Sequence, residues 1–168
     1  LYWLMRYGLR ADEYLHPYGD FAERADALQA RALVHARHEG IPIRQVQSGE
    51  ELLLGEAVIT LFRYDDGPSV NAKSMIEHIR FGDATMLLCA DIIGSTQTWL
   101  SKTLPEEKLR ADVMKAPHHG ITPLTKEFLE KTRPSVMLIT NDEKTARRAV
   151  IQAEANGMRA FCAANTTV

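Results

Sequence analysis

Residues 84–120 read ATMLLCADIIGSTQTWLSKTLPEEKLRADVMKAPHHG. The stretch opens on an apolar run, Ala84 to Asp91, of strand length and ending in a carboxylate. Thr96 to Leu104 carries a helical pattern, and Asp112 to Ala116 reads as a second strand stopped by Pro117. A strand, a crossover helix and a second strand form a βαβ unit, which places the two strands side by side and parallel. The unit assigns the chain to the α/β class.

Working outward, Ser74–Phe81 and Ala84–Asp91 are joined by Gly82-Asp83, the spacing and turn chemistry of a β-hairpin. Upstream lie two further strands, ELLL (51–54) and AVITLF (57–62), then a polar irregular segment from Arg63 to Lys73. Downstream, the pattern predicts a helix over 122–131, a strand over 135–140, a helix over 142–155 closed by Gly157, and a last strand over 159–163. Nearer the start, residues 13–16 and 41–46 read as short strands, with Pro17–Asp20 as a turn. The clearest helix spans 21–38, with Phe21, Ala25, Leu28, Ala32 and His35 on one stripe. Residues 1–8 fit a short helix ended by Gly8. Strands first and alternating strands and helices later predict α/β layering around a mixed sheet with flanking helices.

The 168 residues are 45% apolar and 25% charged, the balance of one globular domain, and residues 1–168 are read as a single domain. A formal net charge of −2 offers no strong field for nucleic acid and argues against a dedicated DNA-binding module, though not against an enzyme acting on a phosphodiester, since a metal site brings its own positive charge. Arg24, Arg31 and Arg37 read as a solvated helix face rather than a DNA track. No apolar stretch reaches the roughly 20 residues that span a bilayer. Cys89 and Cys162 each sit in an apolar run and read as buried thiols, and a cytoplasmic location is slightly favoured.

The residues able to carry chemistry stand where strands end. One apolar strand ends at Asp91, the next at His118-His119, and a third at Asn141-Asp142. In alternating α/β structure successive strand ends share one edge of the sheet, where ligand sites collect. A carboxylate and imidazoles on neighbouring strand ends suit a divalent metal. Pro117 stops its strand and Gly120 lets the chain turn, displaying both imidazoles between them. Plainer roles compete. Asp91 alone would serve as a cap for the following helix, and a His-His pair in a turn is often only solvated. Asp83 and Asp142 read as turn and helix-start residues, while Asn71 and Ser74 are loop and strand-start polar groups. His16, His35, His38 and His78 have structural readings. The order Asn71-x-x-Ser74, hairpin, strand to Asp91, helix, strand to Pro117-His118-His119-Gly120 favours the metal reading.

In this order and spacing, NAKSMIEHIRFGDATMLLCAD (71–91), LRADVMKAPHHGI (109–121) and RPSVMLITND (133–142) resemble the metallo-β-lactamase superfamily, specifically its ComEC-like branch. The resemblance runs from about Ile41 to the C-terminus. It implies an αββα sandwich with two divalent metal ions, zinc or manganese, held at the sheet edges. Asp91 corresponds to the metal-bridging aspartate and His118 to a late histidine ligand. His119 is a competing ligand or a substrate contact. Asn71, Ser74, Thr122 and Asn141 are candidate second-layer or substrate contacts. The H-x-H-x-D-H signature of the superfamily is absent, Ala90 stands where a glycine is usual, and Ile121 where a serine is usual. Residues 1–8 resemble the helix that follows the signature, so the chain is expected to be the C-terminal portion of such a domain, its N-terminal portion missing. The resemblance implies a metal-dependent hydrolase acting, when complete, on small-molecule or nucleic-acid phosphodiesters or related esters, and inactive or nearly so as this chain alone. The alternative is a degenerate, non-catalytic relative that acts as a binding module or homodimer.

Overall fold

The computed structural model describes Tyr7, residues 11–16 and residues 27–165. Two compact units divide the chain, one ending at Gln47 and one beginning at Ser48. The expected helix over 1–8, the turn at 17–20 and the first part of the helix at 21–38 lie outside the described residues, Tyr7 apart.

In the first unit, β1 (Tyr14–His16) pairs in parallel with β2 (Ile43–Gln45), connected through helix α1 (Ala27–His38). The buried face of α1 is Ala32, Leu33 and Ala36, against which Ile41 and Ile43 pack beside Tyr14. The expected stripe through Ala32 and His35 is therefore rotated toward Leu33 and Ala36. Arg31 and Arg37 are exposed, as expected for a solvated face.

The second unit is built on a seven-stranded mixed sheet. Strands β3 (Glu51–Leu54), β4 (Ala57–Phe62), β5 (Ile76–Phe81), β6 (Ala84–Leu88), β7 (Val113–Lys115), β8 (Val136–Ile139) and β9 (Arg159–Cys162) lie in spatial order β3-β4-β5-β6-β7-β8-β9. The first four are antiparallel neighbours, and β6 to β9 are parallel. The Gly82-Asp83 turn closes the β5–β6 hairpin with Phe81 opposite Ala84, and Gly82 has the positive φ of 57° that this tight turn demands. Helices α2 (Gly94–Thr103), α3 (Lys126–Thr132) and α4 (Arg147–Ala155) connect the parallel strands. The expected α/β layering around a mixed sheet is thus the observed architecture.

Register explains the core. Thr60, His78, Leu87, Met114, Met137 and Ala160 form one row across six strands, all on one face. That face meets Leu100 of α2, Phe128 of α3, and Ala149 and Ala153 of α4 in a single buried cluster. Crossovers of one hand between strands added in one direction put every helix on the same face. The neighbouring row, Glu77, Leu88, Lys115, Leu138 and Phe161, points to the opposite face.

Two helices start later than their patterns predict. Helix α3 begins at Lys126 because Thr125 caps it, its side chain accepting from the Phe128 N–H. Helix α4 begins at Arg147, preceded by a turn in which the Asp142 carboxylate accepts from the Thr145 N–H at 2.9 Å and the Thr145 hydroxyl at 2.7 Å. Asp142 therefore caps this turn and not the helix start that its position suggested, where Ala146 stands as the N-cap without a side-chain bond. The same two bonds hold its carboxyl below the usual range.

Candidate functional site

The site forms where β6, β7 and β8 run out. Beyond β6 the chain turns at Ala90, whose φ is 44°. A side chain in that left-handed conformation is strained by about 1 kcal/mol or more. The turn presents Asp91 at the sheet edge, 40% exposed at its side chain. Beyond β7, Pro117 is followed by His118 at φ 47°, His119 at φ 55° and Gly120 at φ 81°. Three left-handed residues in succession swing the chain sharply and separate the two imidazoles, whose ring centres stand 6.3 Å apart. Gly120 is required here twice over. Besides its φ, a β-carbon at this position would come within 3.0 Å of both Ile139 Cγ2 and Ala146 Cβ.

Of the two histidines, His119 meets Asp91. Its Nε2 lies 3.5 Å from Asp91 Oδ1, and its Nδ1 lies 2.8 Å from the Thr140 hydroxyl at the end of β8. His118 turns the other way, with Nδ1 3.4 Å from the Thr122 hydroxyl. The two turns are also tied through the backbone. The Ala90 carbonyl accepts from the His118 N–H at 2.9 Å and from Lys115 Nζ at 2.9 Å. Lys115 Nζ stands 4.0 Å from Asp91 Oδ1, with its side chain only 17% exposed. Burial pulls the Lys115 amine below its usual pKa, opposed by the charge of Asp91 and then by Cys89. Cys89 is fully buried, and burial pushes its thiol up to about 12, against the pull of Lys115. Its burial is what its apolar run suggested, whereas Cys162, expected to be buried too, is only partly so.

The remaining candidates are placed less centrally. Asn71 and Ser74 bracket a short 3₁₀ turn that docks on the first turn of α2, where the Thr96 hydroxyl donates to the Ala72 carbonyl at 2.7 Å. Asn141 turns its side-chain oxygen back onto the Asp142 N–H at 2.9 Å. The loop from Ile121 to Thr125 is bracketed by two glutamines. Gln97 of α2 accepts from the Thr125 N–H at 2.7 Å and donates to the Pro123 carbonyl at 3.1 Å. Gln152 of α4 does the same to both backbone groups of Leu124, at 2.9 and 2.7 Å. Neither Lys115 nor Thr140 is marked by the sequence pattern. Thr140 sits one residue before the Asn141-Asp142 pair that the strand-end argument selected. Lys115 is the last residue of β7, and only the alternation of that strand distinguishes it from Met114.

Two ligands of a tetrahedral ion with bonds near 2.0–2.1 Å lie about 3.4 Å apart. The 3.5 Å between Asp91 Oδ1 and His119 Nε2 fits one edge of such a shell. The Thr140 hydroxyl on Nδ1 is the kind of outer partner that orients a metal-binding imidazole. Among the described residues, however, no group of three or more His, Cys, Asp and Glu side chains gathers to hold a metal ion. The fit is limited to that one pair of donor atoms.

No family model matches this sequence, and no curated protein matches it. The fold, by contrast, has neighbours among solved structures. A mutant of the CmlA β-hydroxylase superposes with a TM-score of 0.55 at 14% identity, covering 89% of this chain and 38% of that one. CmlA itself, described as a diiron β-hydroxylase from Streptomyces venezuelae, superposes with a TM-score of 0.52 at 14% identity, covering 88% and 38%. YhfI from Bacillus subtilis, a metallo-β-lactamase fold protein, gives a TM-score of 0.44 at 12% identity, covering 73% and 54%. This chain spans little more than a third of CmlA and about half of YhfI. The likeness to CmlA is one of fold, in a mixed α/β sheet with flanking helices.

Proposed function

We propose that this chain supplies one side of the metal site of a metallo-β-lactamase-like hydrolase of the ComEC-like branch. When complete, that site takes a phosphodiester or related ester. The observation that carries the reading is the 3.5 Å approach of Asp91 and His119 at the edge of the parallel strands. It is supported by the sequence pattern around both residues and by a fold shared with a protein described as diiron. Asp91 and His119 would hold the metal, with His118 beside them. Zinc or manganese suits a carboxylate and an imidazole. A divalent cation there supplies Lewis acidity to an ester or phosphoryl oxygen. Thr140 would fix the His119 ring, and the strained turns would hold both donors in place before metal arrives. With two or three donors, the 168-residue chain alone binds metal weakly and turns over little or nothing.

Titration with Zn²⁺ and Mn²⁺ by calorimetry, together with an assay of bis-p-nitrophenyl phosphate, tests the proposal. Weak binding that disappears in Asp91→Ala and His119→Ala is expected. Robust turnover lost in Asp91→Ala would show a complete site within this chain. Binding unaffected by either substitution would refute the assignment. A second reading, a non-catalytic relative that binds a partner or a second copy, is favoured by edge strand β3, where Leu53 and Leu54 are 78% and 71% exposed. Light scattering showing a dimer, with no metal bound, would select it.

A further inference from the structure

We propose that Lys115 is a positioning residue, which clamps the turn carrying Asp91 onto the turn carrying His118 and His119. The inference rests on the reading of Asp91 and His119 as a functional pair. Its basis is the Ala90 carbonyl, one acceptor that takes two hydrogen bonds from the β7 segment beside it. The His118 N–H reaches it at 2.9 Å from the turn after β7, and Lys115 Nζ reaches it at 2.9 Å from the end of β7 itself. Ala90 and His118 both hold left-handed backbone that an L-residue leaves readily unless neighbours fix it. The shared carbonyl is such a fixture. It locks the peptide between Ala90 and Asp91, and so the direction in which Asp91 leaves the sheet.

The chemistry of lysine suits this place. Lys115 rises from the sheet face opposite the helices, where a neutral short side chain would not reach the sheet edge. Its ammonium donates to Ala90 and still has protons facing Asp91 Oδ1 at 4.0 Å, too long for a hydrogen bond. The ammonium therefore orients the carboxylate by charge without capping the oxygen that faces His119. A charge-assisted bond to a carbonyl in a largely buried setting is stronger than a neutral one. Removing it leaves the Ala90 carbonyl with a single donor at a strained turn.

The test uses the full chain and the variants Lys115→Met and Lys115→Arg. Methionine keeps the apolar stem and removes the donor, and arginine keeps both a donor and the charge. The first readout needs no metal. Amide hydrogen exchange at His118 should accelerate about tenfold or more in Lys115→Met, with exchange in β5 and α3 unchanged, and should return toward the native rate in Lys115→Arg. The second readout is Zn²⁺ affinity, expected to fall about tenfold in Lys115→Met, the low end for an outer-layer residue, and to recover in Lys115→Arg. Unchanged exchange at His118 would overturn the proposal. So would exchange that rises throughout the domain, which marks a general stabilising role, or tighter Zn²⁺ binding in Lys115→Met, which marks Lys115 as a competing cation. If the native chain binds no Zn²⁺, the metal-site reading fails, while the exchange result still decides for or against the clamp.

Discussion

The two ends of the parallel strands are built on opposite plans. At the end where β6, β7 and β8 begin, polar groups satisfy one another across the strands. Thr85 gives both its N–H and its hydroxyl to the Asp112 carboxylate, at 2.8 and 2.9 Å, and its hydroxyl accepts the Asp112 N–H at 3.0 Å. The Asp112 carbonyl takes the N–H and hydroxyl of Ser135, each at 3.0 Å, and the Ser135 carbonyl takes the Arg159 N–H at 3.0 Å. Asp112, Ser135 and Arg159 have no left-handed backbone. At the opposite end stand three of the four non-glycine residues with positive φ among the described residues, Ala90, His118 and His119. There an imidazole and two charged groups face one another without closing into a saturated network. One end spends its polar groups on stitching strands together. The other keeps donor atoms exposed on strained turns, the arrangement expected where binding rather than stability shaped the backbone.

Asp91→Ala tests this contrast with the largest effect. Zn²⁺ affinity should fall more than about 100-fold, because a carboxylate ligand is lost. The unfolding free energy should change by less than about 1 kcal/mol, because the pair contacts are partly exposed. Calorimetric titration and chemical denaturation check the two halves. A large loss of stability would make Asp91 a structural residue like Asp112 and dissolve the comparison. Gly120→Ala comes next. The added methyl meets Ile139 and Ala146 at 3.0 Å in left-handed backbone, so about 2 kcal/mol of destabilisation is expected in the same denaturation measurement. A neutral result would mean the Pro117–Gly120 turn is looser than its geometry indicates.

Most of this architecture was legible beforehand because periodicity and turn chemistry agree. The β5–β6 hairpin, the strands ending near Asp91 and His118, and the helices between them follow from apolar spacing and from Gly82, Pro117 and Gly120. The edge on which Asp91 and the histidines meet follows from the alternation of strands and helices. Which histidine faces Asp91 does not follow. That depends on two consecutive left-handed residues, and nothing in the identity of His118 or His119 announces them. Ala90 is the instructive case. A glycine is the usual residue there by resemblance, and the structure gives the alanine the backbone a glycine adopts freely. Lys115 was illegible for a different reason. Its role depends on the reach of a flexible side chain to a carbonyl on another strand, and no sequence spacing encodes that reach.

Thr140→Val probes the functional end more gently. The substitution keeps the shape of the side chain and removes the oxygen 2.8 Å from His119 Nδ1. Because the bond is exposed, Zn²⁺ affinity should weaken by about tenfold at most, the low end for an outer partner of a ligating histidine. Stability should not change measurably. If affinity is untouched, the left-handed backbone alone orients the His119 ring, and the strain at this end carries more of the positioning than the comparison assigns to it.

The smallest effect belongs to the stitched end and appears as a pH dependence. The two bonds from Thr85 hold the Asp112 carboxyl below its ordinary value of 3.8. A group with a depressed folded pKa contributes stability that is fully present above its unfolded pKa and is lost as pH falls through the folded one. Native protein should therefore lose this contribution on acidification below about pH 4, and Asp112→Asn, which cannot ionise, should not. The carboxylate is exposed, so solvent screens it, and the difference at neutral pH should stay under about 1 kcal/mol. Urea denaturation of both proteins at pH 7 and pH 3 measures it as a gap that narrows with acid. A constant gap would assign the stabilisation to the neutral hydrogen bonds of Thr85 rather than to the charge. An absent gap would mean that the backbone bonds of Asp112, which the substitution leaves intact, hold this end of the sheet by themselves.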